Sequence, residues 1–459
     1  MYQKLTSVLA LVRLTPFDVQ TEQGRSNERY RKAIFSILAN VLSRAFGVVL
    51  TLLSVSLTLP YLGVERFGIW MTVASFAGLL TFLDLGVGNA LTNHVANRAA
   101  KDDPALLRQT ITGGLGFLAV IGACIGLALW SFAAYLPWGS ILKVDQPGLL
   151  AEARLAAMFF AILFGITVFT SGIQNVFVGL QRAYIGHTVS GLCSLLACLV
   201  LWFATADQQG IAVLLTIMMG APMLAGFILL AVLTIQGQFT FRGIAGWVVF
   251  ESKNLYGAGG LFFLLQTGTM VGWGMDSLLI SSTLGVAQVA VFSIVQRLFQ
   301  LVIQPLSILN APLWGAYADA HSRNDRAFIK KTLTRSLVST FIFTLFVAII
   351  IFIFHSWLIE KWSISNIVAP ITFVATYALW SVIHSFGNAF AIFLNGAGII
   401  RQQVISVILF VILAFPMKII MIRYFDLFGI MLATVVAYLV SHVFTYYFLY
   451  FEDIKKNLQ

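Results

Sequence analysis

The chain has 459 residues, 59% of them hydrophobic and only 10% charged, with a mean hydropathy of +0.91. Those proportions exclude a soluble globular protein. The net charge of +10 would suit a nucleic-acid partner, but the basic residues are dispersed among short loops between apolar runs, a pattern that points to a membrane instead.

The first 32 residues hold a short apolar patch at 7–12, broken by Arg13 and followed by no small-residue cleavage site. They read as a cytosolic tail lying on the lipid surface through Arg25, Arg29, Arg31 and Lys32, not as a signal peptide. Apolar runs then predict helices at 33–59, 66–91, 110–134, 154–179, 184–204, 211–235, 255–282, 286–316, 333–357, 367–395, 402–422 and 427–450. Each can cross a hydrocarbon layer of about 30 Å. The predicted architecture is an all-α integral membrane protein of about twelve transmembrane helices. Its parts are a tail (1–32), a first six-helix lobe (33–235), a linker (236–254), a second six-helix lobe (255–450) and a C-terminal tail (451–459). Cys124, Cys193 and Cys198 fall inside apolar runs without metal or redox spacing and read as packing residues.

Loop charge sets the expected orientation. With the N-terminus inside, the inner segments collect the basic residues of the N-terminal tail and Arg98, Lys101, Arg108, Arg182, Arg242, Lys253, Arg323, Arg326, Lys330, Lys331, Arg335, Arg401, Lys455 and Lys456. The outer ones hold Arg66, Lys143, Arg154, Lys361, Lys418 and Arg423. This roughly threefold bias predicts N-in, C-in, with the cations facing anionic lipid.

The chain also repeats itself. A shift of 222 places Leu62-Gly63-Val64 on Leu284-Gly285-Val286 and, without a gap, KDDPALLRQTIT (101–112) on RNDRAFIKKTLT (323–334), with about eleven identities in fifty-one pairs. Two halves of like topology imply a two-lobed body around a cavity, the plan of alternating-access carriers.

Four charged residues are placed well inside the membrane: Arg44, Asp84, Asp276 and Arg297. Each costs on the order of 2.5–3.5 kcal/mol to insert and calls for a partner or a wet cavity. By helix rise, Arg44 lies roughly 24 Å from the outer end of the first helix and Asp84 roughly 27 Å down the second. Asp276 lies roughly 12 Å below the outer end of the seventh, and Arg297 roughly 16 Å down the eighth. The residues admit one structural Arg–Asp pair per lobe, or arginines lining the cavity to hold an anion such as phosphate. Proton or Na+ coupling through Asp84 or Asp276 is a third reading.

Gln296, Gln300 and Gln304 recur at i, i+4 and i+8, marking a wet or interhelical face. Gln266, Gln174, Asn175, Asn310, Asn388 and Asn395 could bind sugar hydroxyls or hold helices together. His384 and His442 are isolated and read as structural. The glycines of the seventh helix read as close packing, and Pro305–Pro312 as a flexing segment. No HExxH, P-loop, CxxC or catalytic carboxylate constellation appears, so neither an enzyme, a metal nor another cofactor is expected.

The segments LPYLGVERFGIW (59–70), LDLGVGNALTN (83–93) and FVGLQRAY (177–184) resemble the polysaccharide-export flippases of the multidrug/oligosaccharidyl-lipid/polysaccharide exporter superfamily, the Wzx-type O-antigen transporters in particular. That resemblance implies a MATE-like body in a bacterial inner membrane. It implies outward flipping of an undecaprenyl-pyrophosphate-linked oligosaccharide, with a glycan polymerase acting downstream. The family's cationic lumen maps best onto Arg44 and Arg297. Few charges lie in the membrane here, and Asp84 of the LDLG segment has Leu306 as its counterpart in the second half. The alternatives are a drug/cation antiporter of the same superfamily, which should prefer acidic cavity residues, and a membrane-embedded glycan polymerase, which should show a sizeable outer loop.

Overall fold

The computed structural model describes residues 15, 17, 22–80, 87–99, 103–242, 247, 268, 272, 274–322, 325–363, 367–397 and 399–445. They form helices α1 (Glu22–Leu80), α2 (Val87–Ala99), α3 (Pro104–Tyr135), α4 (Trp138–Leu142), α5 (Pro147–Gly179), α6 (Ala183–Ala206), α7 (Ile211–Ile235), α8 (Asp276–Leu284), α9 (Val286–Ser322), α10 (Arg326–Ser363), α11 (Ile371–Gly396) and α12 (Ile400–Val443).

Nine stretches among the described residues are long and apolar enough to cross a membrane. Two of them are too long to do so once. Ile34–Phe76 has 43 residues and Gln402–His442 has 41, which as straight helix would exceed 60 Å, about twice a hydrocarbon layer. Each is broken by one residue: Gly63 (φ 71, ψ 172) in α1 and Asp426 (φ 50, ψ −137) in α12. Pro60 precedes the first break and Pro416 lies ten residues before the second. Beyond Asp426, Gly429 lies so close to the Met421 carbonyl that a side chain would not fit, so the chain doubles back tightly there.

The repeat is built into the backbone. Gly285 (φ 91, ψ 166) adopts the conformation of Gly63, a region that essentially only glycine occupies. Asp103 caps α3 by accepting from the Ala105 and Leu106 amides at 3.1 and 3.0 Å, and its own carbonyl accepts from Leu107 at 3.0 Å. Its counterpart Asp325 caps α10 the same way: its side chain accepts from the Phe328 amide at 3.0 Å and its carbonyl from Ile329 at 3.2 Å. These polar positions carry the repeat more securely than the apolar identities do.

The chain divides into two compact units, one of 1–54, 83–136 and 154–259, the other of 55–82, 137–153 and 260–459. This division departs from the sequence halves, because 55–82 and 137–153 pack with the second half. Within that second unit the Gly68 backbone lies directly against the Val286 backbone, and Lys143 donates to the Thr283 carbonyl. Arg66 grips Glu152 with a two-pronged fork, Nε at 2.8 Å and Nη2 at 2.5 Å.

In the first unit α1 and α6 run parallel: Phe35 faces Tyr184 with ring centroids 6.4 Å apart, and eight residues on Ser43 meets Gly191. Helix α1 begins at Glu22, so residues 22–32 lie within it. Arg31, expected to face lipid, is buried instead. It clamps Glu28 at 2.7 and 2.8 Å and lies over the Phe35 ring, 5.4 Å from its centre. The Arg31 guanidinium, helped by the Phe17 amide, holds the Glu28 carboxyl down at about 2.

Helix α10 shows how membrane helices sort their faces. Val338, Ile342, Phe346, Ile353 and Phe354 are exposed, whereas Ser336, Thr340, Thr344 and Ala348 are buried at i+4 spacing. Asn310 of α9 joins that small polar stripe, accepting from Ser336 at 3.1 Å and donating to Thr340 at 3.4 Å. It is interhelical glue, as are Asn395, held by Gln403 at 2.8 Å, and Gln174, which donates to Ser190 at 2.6 Å. Pro305 and Pro312, expected to flex, lie within α9, which continues as one helix to Ser322.

Candidate functional site

The second unit holds the main buried polar cluster, and aromatic packing positions it. Phe292 and Phe299, seven residues apart on α9, interleave with Phe373 and Tyr377, four apart on α11. Centroid distances are 5.9 Å for Phe292–Phe373, 6.1 Å for Phe292–Tyr377 and 5.4 Å for Phe299–Tyr377. Gln296 falls between the two phenylalanines on the same face, so it reaches the Tyr377 hydroxyl as a hydrogen-bond partner. Asp276 lies near enough for its charge to act on Tyr377.

Asp276 is buried at the first turn of α8 and is paired with Lys418 of α12, Nζ to Oδ1 2.6 Å. The same ammonium donates to the Gly272 carbonyl at 2.6 Å. Lys418 is a correction to the sequence reading, which assigned it to an outer loop. It is 2% exposed and sits on a buried stripe of α12 formed by Phe410, Ala414, Lys418 and Ile422, each four residues from the next. That i+4 spacing was the available signal. Glycine brings the elements together: at Gly272 a side chain would run into the Phe410 ring, and at Gly268 into Val407.

Arg297 is half-buried on α9, and its Nη2 lies 3.1 Å from the Met71 sulfur. The Arg–Asp pairing offered by the sequence is therefore replaced in this unit: Asp276 takes Lys418. Gln300 and Gln304 are half-buried further along α9. Asp84 and Gln266 lie outside the described residues.

Arg44 belongs to the first unit. It is exposed on α1, with its Nε 3.1 Å from Asn40 Oδ1, one turn back. Its charge reaches His187 on α6, a half-buried residue that the sequence reading passed over. An apolar groove of about 610 Å³ in the same unit, lined by Gly122, Gly126, Trp130, Ile162, Gly165 and Phe169 among others, presents no titratable group. His384 and His442 pack in aromatic surroundings, His384 against Trp380 (5.3 Å) and His442 stacked on Tyr438 (3.7 Å). Among the described residues no three His, Cys, Asp or Glu side chains converge on a metal position.

No protein-family model matches the sequence, and neither does a curated protein. Solved structures do match. An inward-facing multidrug-resistance MATE family transporter of the MOP superfamily superimposes with a TM-score of 0.71 at 16% identity, covering 91% of this chain and 99% of that one. The fold is MATE-like. The lipid II flippase MurJ, in an inward closed conformation, gives a TM-score of 0.63 at 13% identity over 93% of this chain and 90% of its own. A MOP superfamily transporter from Pyrococcus furiosus, described as having a binding pocket of reverse polarity, gives 0.60 at 14% identity over 94% and 96%. The MATE-like fold covers nearly the whole chain and establishes a multi-pass membrane protein.

Proposed function

We propose that the chain is a flippase for a lipid-linked oligosaccharide, moving an undecaprenyl-pyrophosphate-linked repeat unit to the outer leaflet of a bacterial inner membrane by alternating access. The proposed frame is twelve helices with both termini inside. Dividing the two over-long stretches at Gly63 and Asp426 and adding the helix that ends at Leu284 supports that number.

The observation that carries the substrate reading is the sign of the embedded charge. Asp276 is paired with Lys418, whereas Arg44 is exposed on α1 with the neutral Asn40 amide at its guanidinium. A cation-drug antiporter calls for acid at such a position, and an anionic head group calls for the guanidinium that Arg44 exposes there. The exposed Arg44 guanidinium, deep in an apolar helix, calls for a water-filled cavity in place of hydrocarbon. The fold shared with the lipid II flippase adds support for a lipid-linked substrate. Guanidinium forks match phosphate oxygens, and a cytoplasm that is electrically negative favours export of a pyrophosphate by about 2.3 kcal/mol per charge per 100 mV.

The test is deletion followed by lipid analysis, with complementation. Loss of the protein should accumulate lipid-linked repeat units on the cytoplasmic side, whereas single unpolymerised units at the surface would indicate a polymerase. Arg44→Ala and Arg297→Ala should abolish surface glycan at normal protein levels, and Lys replacements should rescue in part. Normal surface glycan in both alanine variants would sink the binding role.

A further inference from the structure

Lys418 does something unusual for a membrane lysine: its ammonium is enclosed by oxygens from another helical segment instead of reaching toward a headgroup. The two oxygens are the Asp276 carboxylate and the Gly272 backbone carbonyl, both at 2.6 Å. All three residues are buried. Gly272 lies where the segment changes its winding, with π-type turns at Gly272 and Gly274 before regular α-helix resumes at Asp276. Interrupted membrane helices present backbone carbonyls in this way, and transporters use such carbonyls with carboxylates to coordinate cations.

The donor set fixes the class of cation. One carboxylate and a neutral carbonyl balance a single positive charge, and no second acid or histidine completes a divalent or transition-metal site among the described residues. The depth agrees from both sides. Asp276 lies nine residues before the Gly285 turn and Lys418 eight before the Asp426 break, so each is about 12–14 Å of helix from its turn. Lys418 therefore meets this position from the buried stripe it shares with Phe410, Ala414 and Ile422.

We propose that Gly272 and Asp276 form a monovalent-cation site of the Na+ or K+ kind, and that Lys418 fills it from within the chain. The transporter then carries this cation covalently and recruits none from solution at this position. The inference is independent of the flipped substrate.

Removing the ammonium should uncover the site. In full-length purified Lys418→Met, the thermal midpoint should fall in choline chloride and recover by about 3 °C or more in equimolar sodium or potassium chloride. The wild type should unfold at one midpoint in all three salts. Radioactive sodium should bind Lys418→Met at about one ion per chain above the level of Lys418→Met/Asp276→Asn. The double variant lacks both charges, should fold in choline and should ignore the salt. If Lys418→Met does not accumulate, Lys418→Ala, whose side chain reaches neither oxygen, is read in the same way. A lone Asp276 that simply takes up a proton would give equal midpoints in all three salts and no sodium binding, which overturns the proposal. So would failure of both single variants to fold in any salt while the double variant folds, or a wild type that gains stability from sodium as Lys418→Met does.

Discussion

Substituting Gly68 by alanine tests the contact that ties the first repeat's turn to the second. The backbone of Gly68 is helical, so alanine is conformationally acceptable there and the whole effect is steric. Its Cβ would stand 2.6 Å from the Val286 carbonyl carbon and closer still to the oxygen. Carbon atoms need about 3.5–4.0 Å, so the two backbones must part by about 1 Å. Overpacking usually costs 1–3 kcal/mol when side chains can adjust. A backbone obstacle cannot rotate away, so the upper end, about 3 kcal/mol, applies. The assay is thermal or denaturant unfolding of the purified protein in detergent. Because the obstacle is the Val286 main chain, a Val286→Ala background should not restore stability. Gly63→Ala provides the contrast: nothing lies within 4 Å of its Cβ, yet φ 71 with ψ 172 strains any side chain, by about 1–3 kcal/mol. A Gly68→Ala protein that unfolds at the wild-type midpoint, or one rescued by Val286→Ala, would refute the backbone-contact reasoning.

Further outcomes follow from other contacts. Glu28→Gln removes a charge-assisted fork to Arg31 and an acceptor for the Phe17 amide, at a local cost of about 1.5–3 kcal/mol. Hydrogen exchange over residues 22–35 should rise in that variant with little change elsewhere. Because the Glu28 carboxyl is lowered from 4.5 to about 2, its stabilisation is fully present above 4.5 and disappears as pH falls through about 2. Wild-type protection there, corrected for intrinsic exchange, should therefore be flat between about pH 7 and 5, and a loss in that interval would contradict the clamp. Asn310→Ala strands the Ser336 and Thr340 hydroxyls in the α9–α10 seam and should cost about 1–3 kcal/mol. Asn310→Ala together with Ser336→Ala and Thr340→Ala should recover part of that cost in the same unfolding assay.

The site was legible only in part, and the missing part has a physical cause. Arg297 and Asp276 announce themselves because a charge in an apolar run is conspicuous. The partner of Asp276 did not, because Lys418 follows Phe415 and Pro416 near the end of a run, where lysines ordinarily snorkel to the interface. The buried stripe 410, 414, 418, 422 carried the correct answer, but choosing it over snorkelling requires knowing which neighbour covers that face. Tyr377 escaped for the same reason: its neighbours Gln296 on α9 and Asp276 on α8 are far from it in sequence.

By itself the sequence determined the membrane class, the helical content and the repeat, since these are properties of hydropathy, period and glycine or capping chemistry. Gly63 and Gly285 share a conformation that their residue type permits, and Asp103 and Asp325 cap as aspartates do. Tertiary structure alone decided which surfaces meet. Residues 55–82 and 137–153 join the second unit because Gly68 admits the Val286 backbone and Arg66 finds Glu152. Asp276 is neutral in balance because a lysine 142 residues away, and not the arginine on the next helix, arrives at its depth. Local sequence sets what each helix can bury. The partner for a buried charge is set by three-dimensional proximity, because the energy of leaving a charge unpaired in hydrocarbon is far larger than any local preference.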